Sequence, residues 1–206
     1  MQSAVNRSGT VQAVLKQLRR DIIMKKLKDD TPVTELQFAE RYGCSRAALR
    51  GALAVLEQEG LIRAMPNGTK RICSLRTDDI KNLYELRTYV ECSAAKHILA
   101  KETMDISRLI KVLEVSEEID FLDCDALFHE TLVDMSGNKA LKQVWKTFVP
   151  VTRELFLLNF SQSEKIKDTL QERHLLIAKM LLDKDEKVVD VLKSHITEAM
   201  LLSVAK

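Results

Sequence analysis

Asp125 and His129 stand four residues apart in a stretch of helical apolar spacing, so both side chains leave one helix face a turn apart. His174 and His195 fall in two later helical stretches. One carboxylate and three imidazoles make a ligand set for a divalent ion such as Zn²⁺, Ni²⁺ or Mn²⁺, and helical bundles hold such ions between facing helices. The chain has four histidines, and three sit on helices that could converge. The fourth, His97, reads as an ordinary hydrogen-bonded or surface residue. Spacing alone leaves the plain alternative open, because Asp-x-x-x-His is common on helices and a lone histidine more often solvates or hydrogen-bonds than ligates.

A second constellation lies near the N-terminus. Leu36-Gln37-Phe38-Ala39-Glu40-Arg41-Tyr42-Gly43-Cys44 precedes Ser45-Arg46-Ala47-Ala48-Leu49-Arg50. The pattern predicts a helix, a tight turn at Gly43, a second helix capped by Ser45, and a strand starting near Leu61. That is a helix-turn-helix with a wing. Arg46 and Arg50 share a face of the second helix in its first turns, where a recognition helix meets base edges and phosphates in the major groove. An ordinary solvated helix face is the competing reading of two arginines so spaced.

These residues must be positioned by the rest of the chain. Its 206 residues are 46% hydrophobic and 30% charged, with a net charge of +2, enough for a small domain joined to a larger one. Residues 1–75 hold 13 Lys and Arg against 7 Asp and Glu, a balance of +6, and residues 76–206 carry −4. A basic head on an acidic body suits a polyanion-binding module whose body avoids the polyanion. Cys44, Cys73, Cys92 and Cys124 show no framework spacing, so they read as reduced thiols of a cytosolic protein. Met1 to Thr10 lacks an apolar signal core, and no apolar run reaches the ~18–20 residues that span a bilayer. A soluble cytoplasmic protein with no membrane partner is the expectation.

Val11 to Leu27 has a helical period, broken by Asp29-Asp30-Thr31-Pro32. Thr34-x-x-Gln37 has the form of a capping box for the next helix. Pro66-Asn67-Gly68 predicts a tight hairpin between two short strands, the chain's only convincing β-structure, with Arg63, Lys70 and Arg71 making the wing basic. Ser74 to Thr77 reads as a linker. Beyond it, helices are expected from Asp78, over Ile106–Ile119, Leu122–Met135 and Lys139–Asn159 (through Pro150), from the Ser161-x-x-Glu164 box to Leu182, and on to Ala205. The fold expected is mainly α: a winged helix-turn-helix domain over residues 1–75, then an antiparallel bundle of about six helices over 76–206.

Four motifs in order carry a resemblance: SRAALRGAL with LEQEGLI, LYELRTYVECSAAKHIL, D-A-L-F-H with S-G-N, and a late R-H. Together they resemble the GntR family of bacterial transcriptional regulators, in the FadR-type branch with an all-helical FCD domain, over residues 11–204. The resemblance implies a homodimer whose heads bind a pseudopalindromic operator and whose helical domains bind a small organic acid. It places a metal on Asp125, His129, His174 and His195, with the acid beside it. The family's R-x-x-x-E falls on Arg87 and Glu91. Arg87 is therefore a candidate for the effector carboxylate, or one half of a buried structural pair, and Arg153 is a second candidate. On the DNA side the resemblance points to Ser45, Arg46 and Arg50, and to Asn67, Gly68 and Lys70 at the wing.

The chain departs from the family pattern where it matters for DNA. Ala47-Ala48-Leu49 replaces a common Thr-Pro-Val, Leu36 stands where some members have arginine, and Gly51 replaces glutamate at a helix cost of roughly 1 kcal/mol relative to alanine. A non-enzymatic regulator, more a repressor than an activator, is the expectation. One rival is a metal-dependent hydrolase, although the chain has no H-E-x-x-H, nucleophile elbow or phosphate loop. The other is a scaffold that keeps the fold without binding DNA.

Overall fold

The chain divides after Arg76 into two units, Met1–Arg76 and Thr77–Lys206. The structure, a computed structural model, describes residues 3–103, 105–114, 121–160 and 164–204. It gives side chains for all of these except 3–10, 121–122, 159–160 and 164–168.

In the first unit, α1 (Ser3–Ile23) buries Val14, Leu15, Leu18 and Ile22 at helical spacing. It packs on α3 (Arg46–Gln58), which buries Ala48, Leu49, Ala52, Leu53 and Leu56. The Arg19 guanidinium clamps the two together at one end, donating to both carboxylate oxygens of Glu59 at 2.6 and 2.7 Å. α1 ends at Ile23 rather than Leu27, because Lys25 turns left-handed at φ 56° and the chain leaves the helix. Gly51 meets Val11 Cγ1 at 3.4 Å from where a methyl would sit, an ordinary contact, so packing does not demand the glycine.

α2 (Glu35–Arg41) and α3 are joined through Gly43 at φ 60°, the tight turn expected. Ser45 caps α3 as expected, its Oγ accepting from the Ala48 N–H at 3.1 Å. Thr34 precedes α2, but the capping box is not made. Its hydroxyl donates to Gln37 Oε1 at 2.6 Å instead of accepting from the helix amides.

Three strands, not two, complete the unit among the described residues. β2 (Ile62–Ala64) and β3 (Lys70–Ile72) form the wing, and β1 (Pro32–Val33) adds to the other edge of β3, giving an antiparallel sheet of order β1-β3-β2. A two-residue strand led by proline has no alternation to reveal it, and its pairing with Lys70 and Arg71 is a long-range event. The hairpin is also one residue longer than a two-residue Asn-Gly turn. The Gly68 N–H returns to the Met65 carbonyl, and Gly68 alone of the loop takes positive φ, at 79°.

The second unit holds six helices among its described residues: α4 (Thr77–Leu99), α5 (Ser107–Glu114), α6 (Phe121–Met135), α7 (Lys139–Phe160), α8 (Glu164–Leu182) and α9 (Val188–Val204). The expected ends at Ile119 and Ala205, and Ser161 of the predicted cap, lie outside the described residues. α4 packs along α9, with Tyr84, Ile98, Phe128, Leu132, Ile177, Leu181, Leu192 and Ile196 in the core between helices. A smaller cluster of Val90, Ala94, Val133, Trp145 and Phe148 joins α4, α6 and α7. Pro150 removes one backbone donor without ending α7.

Gly137, at φ 73°, ends α6, and Asn138 opens α7: its Oδ1 accepts from Ala140 N at 3.0 Å and Leu141 N at 3.2 Å. Asn138→Ala is expected to cost roughly 1 kcal/mol and lower the thermal midpoint by about 2–4 °C. Asn138→Asp, which keeps the acceptor, is expected to lose at most half of that. Circular-dichroism melts of the two variants against wild type check it.

Candidate metal centre and nucleic-acid interface

Asp125 and His129 come from α6, His174 from α8 and His195 from α9, and all four are buried. The three Nε2 atoms face one another: His129 to His195 at 3.1 Å, His174 to His195 at 3.2 Å, His174 to His129 at 3.3 Å. Asp125 Oδ1 lies 3.4 Å from His174 Nε2 and 3.6 Å from His129 Nε2. One donor atom from each residue lies within 4.8 Å of every other. The four residues named as candidate ligands from the sequence thus meet at one point.

A buried layer orients them. Phe128 stacks on the His174 ring, centroids 4.2 Å apart at 18°. Glu91, from α4, accepts from His129 Nδ1 at 2.5 Å and from Arg87 Nε at 2.6 Å. Glu91 accepts at the Nδ1 side and Nε2 faces inward, the arrangement in which a carboxylate orients a ligating imidazole. The sequence had marked Arg87 and Glu91 without linking Glu91 to His129; the signal available was an acidic residue at a core position. Arg87 is the buried Glu91 partner, over the rings of Tyr84 and Trp145 at 5.9 and 5.8 Å. Arg153 is not brought here. Its half-exposed side chain pairs with Asp123 in solvent.

Burial works to raise the Asp125 carboxyl, but hydrogen bonding and charge from His129, with His174 and Arg87, hold it well below the usual carboxylate range. Burial likewise opposes charge on Glu91, and His129 and Arg87 outweigh it. Burial pushes His174 down to about 3, and burial together with the other two imidazoles pushes His195 well below its ordinary value. His129 is pulled down by burial yet lifted overall by the Glu91 and Asp125 carboxylates.

The donor set fits a divalent ion. Nitrogens about 2.0–2.1 Å from a common ion stand roughly 2.9–3.4 Å apart when their ligand angles lie between square and tetrahedral, and the observed separations are 3.1–3.3 Å. His174 and His195 are neutral donors with no proton to displace. Three imidazole nitrogens and a carboxylate buried face to face form a set that a divalent cation would satisfy. His195 Nδ1 has no hydrogen-bond partner among the described residues, so no second carboxylate orients this third imidazole.

The basic head presents a different surface. Arg46 and Arg50 are each 62% exposed along their side chains and reach toward one carboxylate, Glu35 Oε2, at 3.4 Å each. Ser45 sits beside them with its Oγ engaged in the helix cap. At the wing, Gly68 makes the turn and Asn67 Oδ1 accepts from the Thr69 amide and hydroxyl, so the Asn67 side-chain oxygen shapes the loop. The basic wing is more neutralised than composition suggests. Lys70 pairs with Glu57, Arg63 with Asp30, and Arg71 with the Asp30 carboxylate and carbonyl.

Comparison with known proteins adds the identity. The model of bacterial regulatory proteins of the gntR family matches residues 10–71, and the FCD domain model matches residues 82–198. The gluconate operon transcriptional repressor of Bacillus licheniformis is 26% identical, over 97% of this chain and 82% of that protein. The HTH-type transcriptional repressor RspR of Escherichia coli (strain K12) is 22% identical over 91% and 86%. Two solved structures share the fold. Lar, which controls the Listeria monocytogenes agr system, has a TM-score of 0.72 at 19% identity over 95% of this chain and 96% of that one. A putative GntR regulator from Rhodococcus sp. RHA1 has a TM-score of 0.64, also at 19% identity, over 95% and 97%. The chain belongs to the GntR family of bacterial DNA-binding transcriptional regulators, with an FCD domain as its helical unit.

Proposed function

We propose that the chain is a homodimeric repressor whose heads read a pseudopalindromic operator and whose helical unit answers to a small carboxylate bound beside a divalent cation. Members of the family are transcriptional regulators, so the hydrolase alternative is set aside. The observation that carries the DNA reading is the exposed Arg46–Arg50 pair at the capped start of α3. A helix so capped offers its first turn to the major groove, with Ser45 near phosphate and the arginines near base edges. Gly68, Asn67 and Lys70 approach the backbone at the wing. A two-fold protein matches a pseudopalindrome because each head takes one half-site. The name repressor follows the relatives whose names carry it.

Asp125, His129, His174 and His195 would hold the cation, of the zinc, nickel or manganese kind, with Glu91 fixing His129. When bound, such a cation supplies a positive centre with open positions for a carboxylate oxygen. Arg87, beside Asp125 and Glu91, adds cationic field to the same pocket. A ligand there alters operator affinity only by its preference for one of two states of the protein.

Three outcomes are expected. Arg50→Ala weakens binding to an operator duplex by roughly 1–3 kcal/mol, while the thermal midpoint stays at the wild-type value; fluorescence anisotropy beside a melt reads both, and unchanged affinity would remove α3 as the reader. Glu91→Gln lowers metal affinity about 10–100-fold, and His195→Ala abolishes stoichiometric metal, read by elemental analysis after dialysis against a weak chelator. Wild-type protein that takes up no divalent metal under the same conditions rules the centre out.

A further inference from the structure

We infer that Glu35 sets the sequence discrimination of this protein by holding Arg46 and Arg50 together and keeping them from binding phosphate indiscriminately. The inference rests on the reading of α3 as the recognition helix. Glu35 is the first residue of α2, and it belongs to none of the groups assigned above to operator contact.

The geometry is specific. Arg46 Nη2 and Arg50 Nε approach the same oxygen, Glu35 Oε2, each at 3.4 Å. Two guanidiniums a helix turn apart repel each other, and a carboxylate between them converts repulsion into a bridge. With the carboxylate 35% and the arginines 62% exposed, such a bridge adds little to folding stability. Its consequence lies at the surface that meets DNA. An arginine has five N–H donors in a planar fork; Arg46 gives one to Glu35 and Arg50 makes an ion-pair contact with the same oxygen, so both keep donors for a base edge.

The same carboxylate bears on the choice between bases and backbone. Unrestrained arginines can swing to the nearest phosphates, a contact without sequence information. Glu35 neutralises one of the two charges and repels phosphate, so binding to arbitrary sequence is weakened. When the arginines engage guanine O6 and N7, the bridge holds the fork in place, and a glutamate at the groove can also accept from a cytosine amino group. Discrimination rises although total attraction falls.

The test is a parallel selection from a randomised duplex pool by full-length wild type, Glu35→Gln, Glu35→Asp and Arg50→Ala, followed by affinity measurements over a salt series. Wild type is expected to return a motif and Arg50→Ala to lose it. Glu35→Gln is expected to return a degraded motif and to bind random duplex more tightly. Its ratio of specific to non-specific affinity falls about tenfold, and its salt dependence steepens by about one unit of slope. Glu35→Asp, which keeps the charge, retains the wild-type slope. If Arg50→Ala loses the motif while Glu35→Gln keeps both motif and slope, the role of Glu35 is refuted and the recognition-helix reading stands. If wild type returns no motif, or Arg50→Ala returns the wild-type one, the reading and the inference fall together.

Discussion

Three imidazole nitrogens within 3.1–3.3 Å of one another, deep in a helical unit, are the constraint around which that unit is organised. Bringing them together fixes α6, α8 and α9 at one point, and Glu91 adds α4 through its bond to His129. A buried polar group is tolerated when it is paired. Here the pairing runs outward from the centre: Arg87 to Glu91, Glu91 to His129, and Asp125 beside His129 and His174. The inner ends of the donors face one another, where a cation would satisfy them, and Phe128 stacks on His174 at the edge of the apolar core.

The head obeys the opposite economy. The groups proposed to read DNA are exposed cations, and local backbone chemistry rather than burial positions the helix that carries them. Ser45 fixes where α3 begins, Gly43 turns the chain into it, and Arg19 clamps its far end through Glu59. Most wing cations answer to acidic residues within the head. Arg46 and Arg50 share one carboxylate, that of Glu35.

Features that depend on residues within a few positions of one another were legible in the sequence. The Ser45 cap, the Gly43 turn, the Asp125–His129 spacing and the succession of helices all arise from local periodicity and turn chemistry. The convergence of His174 and His195 on that pair came from the resemblance, since nothing local ties residues 45 and 66 positions from His129 to it. What stayed hidden was decided at longer range or by side-chain competition. β1 exists because β3 passes beside Pro32 and Val33. Thr34 spends its hydroxyl on Gln37 rather than on the helix, and α1 ends where Lys25 goes left-handed. Arg153, the second effector candidate, is instead paired with Asp123 in solvent. Glu35, and the bond from Glu91 to His129, escaped notice for one reason: an acidic residue's role declares itself only once its cationic or imidazole partner is in place.

A regulator of this build depends on a difference in affinity between one DNA sequence and all others. The direct measurement is competition binding of full-length protein, at physiological salt, between a duplex from its own upstream region and a shuffled duplex of equal composition. The account predicts a preference of at least about 10³-fold that survives excess competitor. Equal affinity for the two duplexes, fading together as salt rises, would contradict it and leave a basic head on a scaffold.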